Sequence, residues 1–179
     1  AVVYLDGVEI ASGTAGTRQA SSAPIMIGDF DDDNGFTQNF EGDIADVRVW
    51  NDIRTPQEIA SNRVTDLTGN EAGLVGHWKL DQGSGTTAID SSSTANNGTL
   101  QNGAAFVDEA PVAIPVLGDT YEFTGSDYID AGDIDAMDGL QRLSVAAWIN
   151  SEDAGSGNDN IVTKWSDSGQ GFILRLQSP

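Results

Sequence analysis

Phe40-Glu41-Gly42-Asp43-Ile44-Ala45-Asp46-Val47-Arg48-Val49-Trp50 is the stretch that decides the fold. Ile44, Val47 and Val49, with small residues between them, suit a strand buried in a sheet. Thr55-Pro56-Gln57-Glu58 follows, with an N-cap residue, proline at the first helical position and an acid in the first turn. It predicts a short helix through about Asn62.

Outward from this stretch the chain reads as short β-rich runs separated by Gly, Ser, Thr, Asn and Asp. Val2 to Ile10 gives two short strands around Asp6-Gly7, a tight-hairpin signal. Residues 24–30 form a strand, and another begins within residues 71–80. Residues 81–103 are a long turn-rich stretch. Residues 104–117 read as a connector, with Pro111, Pro115 and Gly118 as interruptions. Residues 121–130, 143–149, 161–165 and 171–176 read as strands. Ser144-Val145-Ala146-Ala147-Trp148-Ile149 is apolar on consecutive positions, so it predicts a strand buried on both faces. Helix is expected only after Trp50 and around residues 136–140. The fold class is all-β.

The 179 residues carry 28 Asp+Glu against 8 Lys+Arg, a formal net charge of -20. Nucleic acids and anionic membrane surfaces need basic partners, so both are excluded as ligands. Divalent cations are the natural counterpart, and a surface tuned for solubility is the plain alternative. The chain has no cysteine and one histidine, His77. Disulfides, thiolate zinc sites, cysteine nucleophiles and multi-histidine metal clusters are therefore excluded. No apolar run approaches the roughly 18 residues of a membrane span.

Several segments together resemble the bacterial laminin-G-like domain, a relative of pentraxins and legume-type lectins with a concanavalin A-like jelly-roll sandwich. Val3-Tyr4-Leu5-Asp6-Gly7-Val8 is similar to the family's mid-domain strand pair. Ile27-Gly28 through Trp50, and then Thr55 to Ile59, are similar to its closing strand and helix. Gly73 to Thr86, Asp90 to Gly98 and Phe123 to Ile129 are similar to its opening half. The closing half precedes the opening half here. The resemblance thus implies a circularly permuted jelly roll, or halves of adjacent repeats. Residues 1–66 would be the C-terminal half of one sandwich, 67–71 a linker and 72–179 the N-terminal half of another. Small halves bury too little surface to stand alone. They are expected to pack on each other or to be completed by neighbouring domains or subunits, and completion in a larger assembly is the favoured expectation.

Asp29-Phe30-Asp31-Asp32-Asp33-Asn34-Gly35 is the sharpest chemical signal. Calcium takes six to eight hard oxygen ligands, and this run offers Asp29, Asp31, Asp32, Asp33 and Asn34 on a glycine-containing loop. A solvated acidic turn is the alternative. The pentraxin likeness implies that Asp29, Asp31 and Asp32 act as early acids and Gln38 as a late amide. The same family likeness implies a structural calcium on Asp46, with Asp81, Asp90 and Asn97 as partners. Alternatively, Asp46 pairs with Arg48. Glu41, Asp43 and Asp46 have the rough spacing of a glucanase signature, but the last acid is an aspartate and no aromatic cleft accompanies it. No catalysis is expected. Three of the four tryptophans lie in apolar strands. Trp165, followed by Asp167 and Gln170 in a polar turn, is the candidate sugar platform. The reading is an extracellular, surface-displayed bacterial module that binds calcium and a glycan. The alternatives are a structural repeat of a fibre and, third, a glucanase relative.

Overall fold

In the computed structural model, residues 1–14, 21–30, 39–103, 105–107, 120–151, 158–166 and 170–177 are described. The chain is all-β. A hairpin of β1 (Val2–Leu5) and β2 (Val8–Ser12) turns at Asp6-Gly7, both at positive φ. Next come β3 (Ile25–Ile27) and β4 (Glu41–Trp50). The helix α1 (Pro56–Asn62) starts where the sequence predicts it, and its start is closed by a reciprocal capping box between Thr55 and Glu58. The second part holds β5 (Leu74–Trp78), β6 (Thr87–Ala88), β7 (Gly98–Gln101), β8 (Ala105–Val107), β9 (Thr120–Thr124) and β10 (Tyr128–Asp130). Three long strands complete it: β11 (Ser144–Ser151), β12 (Asn158–Ser166) and β13 (Gln170–Gln177).

Two antiparallel sheets form the body. One has the order β13-β12-β3-β10-β7-β6 and the other β11-β4-β9-β8. Strand β3 lies between β12 and β10, and β4 lies between β11 and β9. Residues 1–66 and 72–179 therefore share both sheets. The hairpin β1–β2 is a separate two-stranded sheet.

Strand β4 is the organising element. Its first half, Glu41 to Ile44, pairs with β9, and its second half, Val47 to Trp50, pairs with β5 on the same edge. Between these partners the backbone of Asp46 turns to φ 51° and its N–H donates to the Lys79 carbonyl. The opposite edge pairs with β11, whose register slips between Ala146 and Trp148. A bulge at this point lets one strand serve two successive neighbours.

Between the sheets lie Ile25, Ile27, Phe40, Ile44, Trp78, Leu80, Tyr121, Phe123, Ile129, Ile134 and Met137, all essentially without solvent contact. Phe123 meets Tyr121 and Phe40 with ring centroids 4.6 and 6.3 Å apart, the second pair edge-on. Gly28, at φ 88°, passes so close to Phe123 that a Cβ there would lie 2.3 Å from the ring. A smaller cluster of Trp50, Leu67 and Leu74 closes the region of the expected linker, so residues 67–71 run against the body.

Three details differ from the sequence reading. Residues 121–130 form two strands in different sheets, because Gly125 at φ 83° breaks the run. The expected connector at 104–117 contains β8, and residues 108–119 lie outside the described set. The helix expected near 136–140 is a single 3-10 turn, Asp135–Met137. The largest departure is β11: none of its eight residues is buried. It is an edge strand here, not the doubly covered strand its composition predicts.

Candidate functional site

Pairing of β4 with β5 sets Arg48 directly opposite His77. Asp46, two residues before Arg48, reaches both. Arg48 Nε donates to Asp46 Oδ1 over 2.8 Å, its Nη2 lies 2.5 Å from Oδ2, and His77 Nε2 lies 2.7 Å from Oδ1. All three side chains are at most 4% exposed. The guanidinium also donates to the carbonyls of Asn62 and Thr65, tying the end of α1 to the sheet. An Asp paired bidentately with Arg and also with an imidazole nitrogen has most of its lone pairs taken up by protein groups.

Asp90 is committed in the same way. Its Oδ1 accepts from the backbone N–H groups of His77 and Ser92, and its Oδ2 from Ser92 Oγ, Thr94 Oγ1 and the Asn96 N–H. Asn97 Oδ1 accepts from the Asp90 N–H. The structure thus joins Asp46 and Asp90 through His77, and Asn97 to Asp90, but as acceptors of protein hydrogen bonds. Asp81 is exposed and outside this network. The sequence reading weighed the Asp46–Arg48 pair but gave His77 no part in it. The signal it lacked was the register of two strands about 30 residues apart.

A second constellation lies at the end of β3. Asp29 is buried, its carbonyl accepts from Thr163 Oγ1 over 3.0 Å, and its Oδ1 accepts from the Phe30 N–H. The Phe30 ring meets Trp165 edge-on, with centroids 6.3 Å apart. Trp165, at the end of β12, is 36% exposed. The pairing of β3 with β12 therefore brings together the start of the acidic run and the expected sugar platform, which lie far apart in the sequence. Asp31, Asp32, Asp33, Asn34, Gln38 and Asp167 fall outside the described residues, as does the side chain of Gln170.

A third acidic group was not anticipated. Asp133, Asp135 and Asp138, around the 3-10 turn, bring carboxylate oxygens within 4.8 Å of one another, a grouping that could hold a metal ion. Buried Lys164 already points its ammonium there. Nζ lies 2.5 Å from Asp133 Oδ1 and 3.7 Å from Asp138 Oδ1, and donates to the Ala23 carbonyl over 2.7 Å. The fixed cation offsets one of the three negative charges.

The acids of the glucanase-like spacing differ in burial. Glu41 is exposed. Asp43 is buried, accepting from Asn150 Nδ2 and Thr120 Oγ1, and Asp46 is held as described.

Residues 1–60, of the 179, match the family model Laminin_G_3, described as the concanavalin A-like lectin/glucanases superfamily. Over that first third the chain is similar to part of a laminin-G-like domain. No curated protein and no solved structure gives a match. The laminin-G-like match covers β1 to β4 and reaches into α1, so it includes Asp29, Phe30, Asp46 and Arg48. The partners that complete both constellations, Trp165 and His77, come from outside the matched segment. Among the described residues no helix is long and apolar enough to cross a membrane.

Proposed function

We propose that the chain is a carbohydrate-binding, lectin-like module that holds calcium and works at the cell surface or outside the cell. The observation that carries this reading is the placement of half-exposed Trp165 against Phe30, beside Asp29. An indole with one accessible side offers a flat apolar platform for the C–H face of a sugar ring. Carboxylates beside it accept sugar hydroxyl hydrogens. The run from Asp29 to Asn34, with Gln38, supplies the hard oxygens that calcium prefers. The family match supports a lectin-like role in general terms, and the acidic charge favours cations over anionic ligands. Asp167 and Gln170, close to Trp165 in the sequence, are the further polar candidates in this reading. Glu41 is exposed, and Asp43 and Asp46 are buried on internal partners, so in this reading the module binds its glycan without cleaving it.

Retention on a glycan array tests this reading. Binding in calcium that disappears with chelator supports it. Binding of no glycan under either condition, or turnover of a β-glucan that Glu41→Gln abolishes, contradicts it.

A further inference from the structure

The hairpin β1–β2 and the edge strands β11 and β13 are complementary unfinished surfaces. In the hairpin, Val3 and Leu5 of β1 and Val8 and Ile10 of β2 alternate onto one face, with Leu5 opposite Val8. These four side chains are 42–65% exposed. The tip is pinned elsewhere: Arg63 Nη1 of the segment after α1 donates to the Asp6 carbonyl over 3.1 Å. A lone two-stranded hairpin is marginally stable in water and needs a third strand or a packed face. An apolar face of this kind on a soluble chain marks an interaction site.

Among the described residues, nothing covers the sandwich at one side. Strands β7 and β8, joined by residues 102–104, put their sheet ends on one side of the body, so β11 and β13 edge the other. Along that side Val145, Ala147 and Ile149 of β11, with Phe172, Leu174 and Leu176 of β13, pack on the core while remaining only partly buried. Strand β11 has the composition of a strand covered on both faces, yet none of its residues is buried, and among the described residues it pairs only with β4. Strand β13 pairs only with β12, which leaves eight residues of edge backbone open among the described residues. Exposed Arg175 on β13 and exposed Glu9 on β2 have no ion pair among the described residues and are of opposite sign.

We propose that the hairpin β1–β2 of one copy adds to the β13 edge of a second copy, turning Val3, Leu5, Val8 and Ile10 onto the open side between β11 and β13. Main-chain pairing extends the sheet, and the alternating apolar side chains finish the core. Glu9 then lies on the strand that meets Arg175. The two surfaces differ, so the contact is head-to-tail and each copy both gives a hairpin and receives one. Such contacts build open chains unless the rotation closes a ring. Because each copy carries a charge of -20, repulsion opposes the contact at low ionic strength and salt relieves it.

Sedimentation from micromolar to millimolar concentration reads the result. The full chain is expected to associate progressively, and more strongly in added salt. Two variants separate the surfaces: Leu5→Lys with Val8→Lys on the exposed hairpin face, and Ile173→Pro on the edge. Each alone is expected to lose self-association. An equimolar mixture is expected to form a heterodimer that stops there, since only one competent hairpin and one competent edge remain. If Ile173→Pro fails to fold, Arg175→Glu takes its place and is expected to weaken association at least several-fold. A chain that stays a compact monomer throughout, as when its own hairpin covers its own edge, overturns the proposal. So does association that the hairpin variant leaves unchanged.

Discussion

His77 Nε2 lies 2.7 Å from Asp46 Oδ1, joining β5 to the bulge of β4 where that strand changes partner. The contact is the hinge of a buried network that runs from Arg48 through Asp46 and His77 to Asp90.

Removing the shared acceptor leaves two buried donors without a partner. Asp46→Ala is therefore expected to destabilise the fold by about 3–5 kcal/mol. Calcium should not restore that loss, because the missing charge balanced an internal guanidinium. Urea denaturation of the variant with and without calcium checks this, and full rescue by calcium would show Asp46 to be a metal ligand.

Asp90→Ala strands several donors of the 91–96 turn and the His77 N–H. Each buried donor left unpaired costs about 1–3 kcal/mol. The loss should exceed about 3 kcal/mol, while the isosteric Asp90→Asn keeps much of the acceptor set and loses less. Equal losses for both variants in thermal melts would mean that the charge, not the hydrogen bonding, is what matters at this turn.

Glu71 gives the stability a pH dependence of definite sign. Burial pushes its carboxyl up, but hydrogen bonds from the Thr68 N–H and hydroxyl and the Gly69 N–H outweigh that and hold it below its ordinary 4.5. A carboxyl depressed in the folded state contributes stability above its unfolded value, and that contribution is lost as pH falls through the folded one. Glu71→Gln should thus melt below the parent chain at pH 7, by a small margin because solvent screens this largely exposed carboxylate, and the gap should close in strong acid. A gap that is constant across the acid limb would remove the carboxylate from this explanation.

The close approach at Gly28 can be tested by adding one methyl group. Gly28→Ala drives a Cβ into Phe123 and forces positive φ on an L-residue. A loss of about 1–3 kcal/mol is expected. Phe123→Leu in the same chain should recover part of it, and simple additivity of the two losses would show that the ring contact is not the cause.

What the sequence made legible was local. Thr55-Pro56-Gln57-Glu58 predicted its helix start because every participant lies within four residues. Asp6-Gly7 predicted its hairpin for the same reason. The strand content of β4 was readable from its apolar run. Partner choice was not: no local pattern says that β4 exchanges β9 for β5 at Asp46, or that Arg48 will face His77. The composition of β11 was misleading for a physical reason. Apolar residues at consecutive positions report a preference for cover on both faces, and among the described residues that cover is incomplete, leaving every residue of β11 partly or fully exposed. Trp165 was readable as a platform from its polar flank, but its contact with Phe30 depended on the β3–β12 pairing.

The most direct test of the proposed function compares Trp165→Ala with the parent chain for binding of an array-selected glycan in calcium. Loss of an aromatic platform worth about 1.4 kcal/mol weakens binding roughly tenfold. The account predicts a loss of at least that size with no change in the calcium-induced rise in melting temperature, since the indole holds sugar and not metal. Undiminished glycan affinity in Trp165→Ala would contradict it.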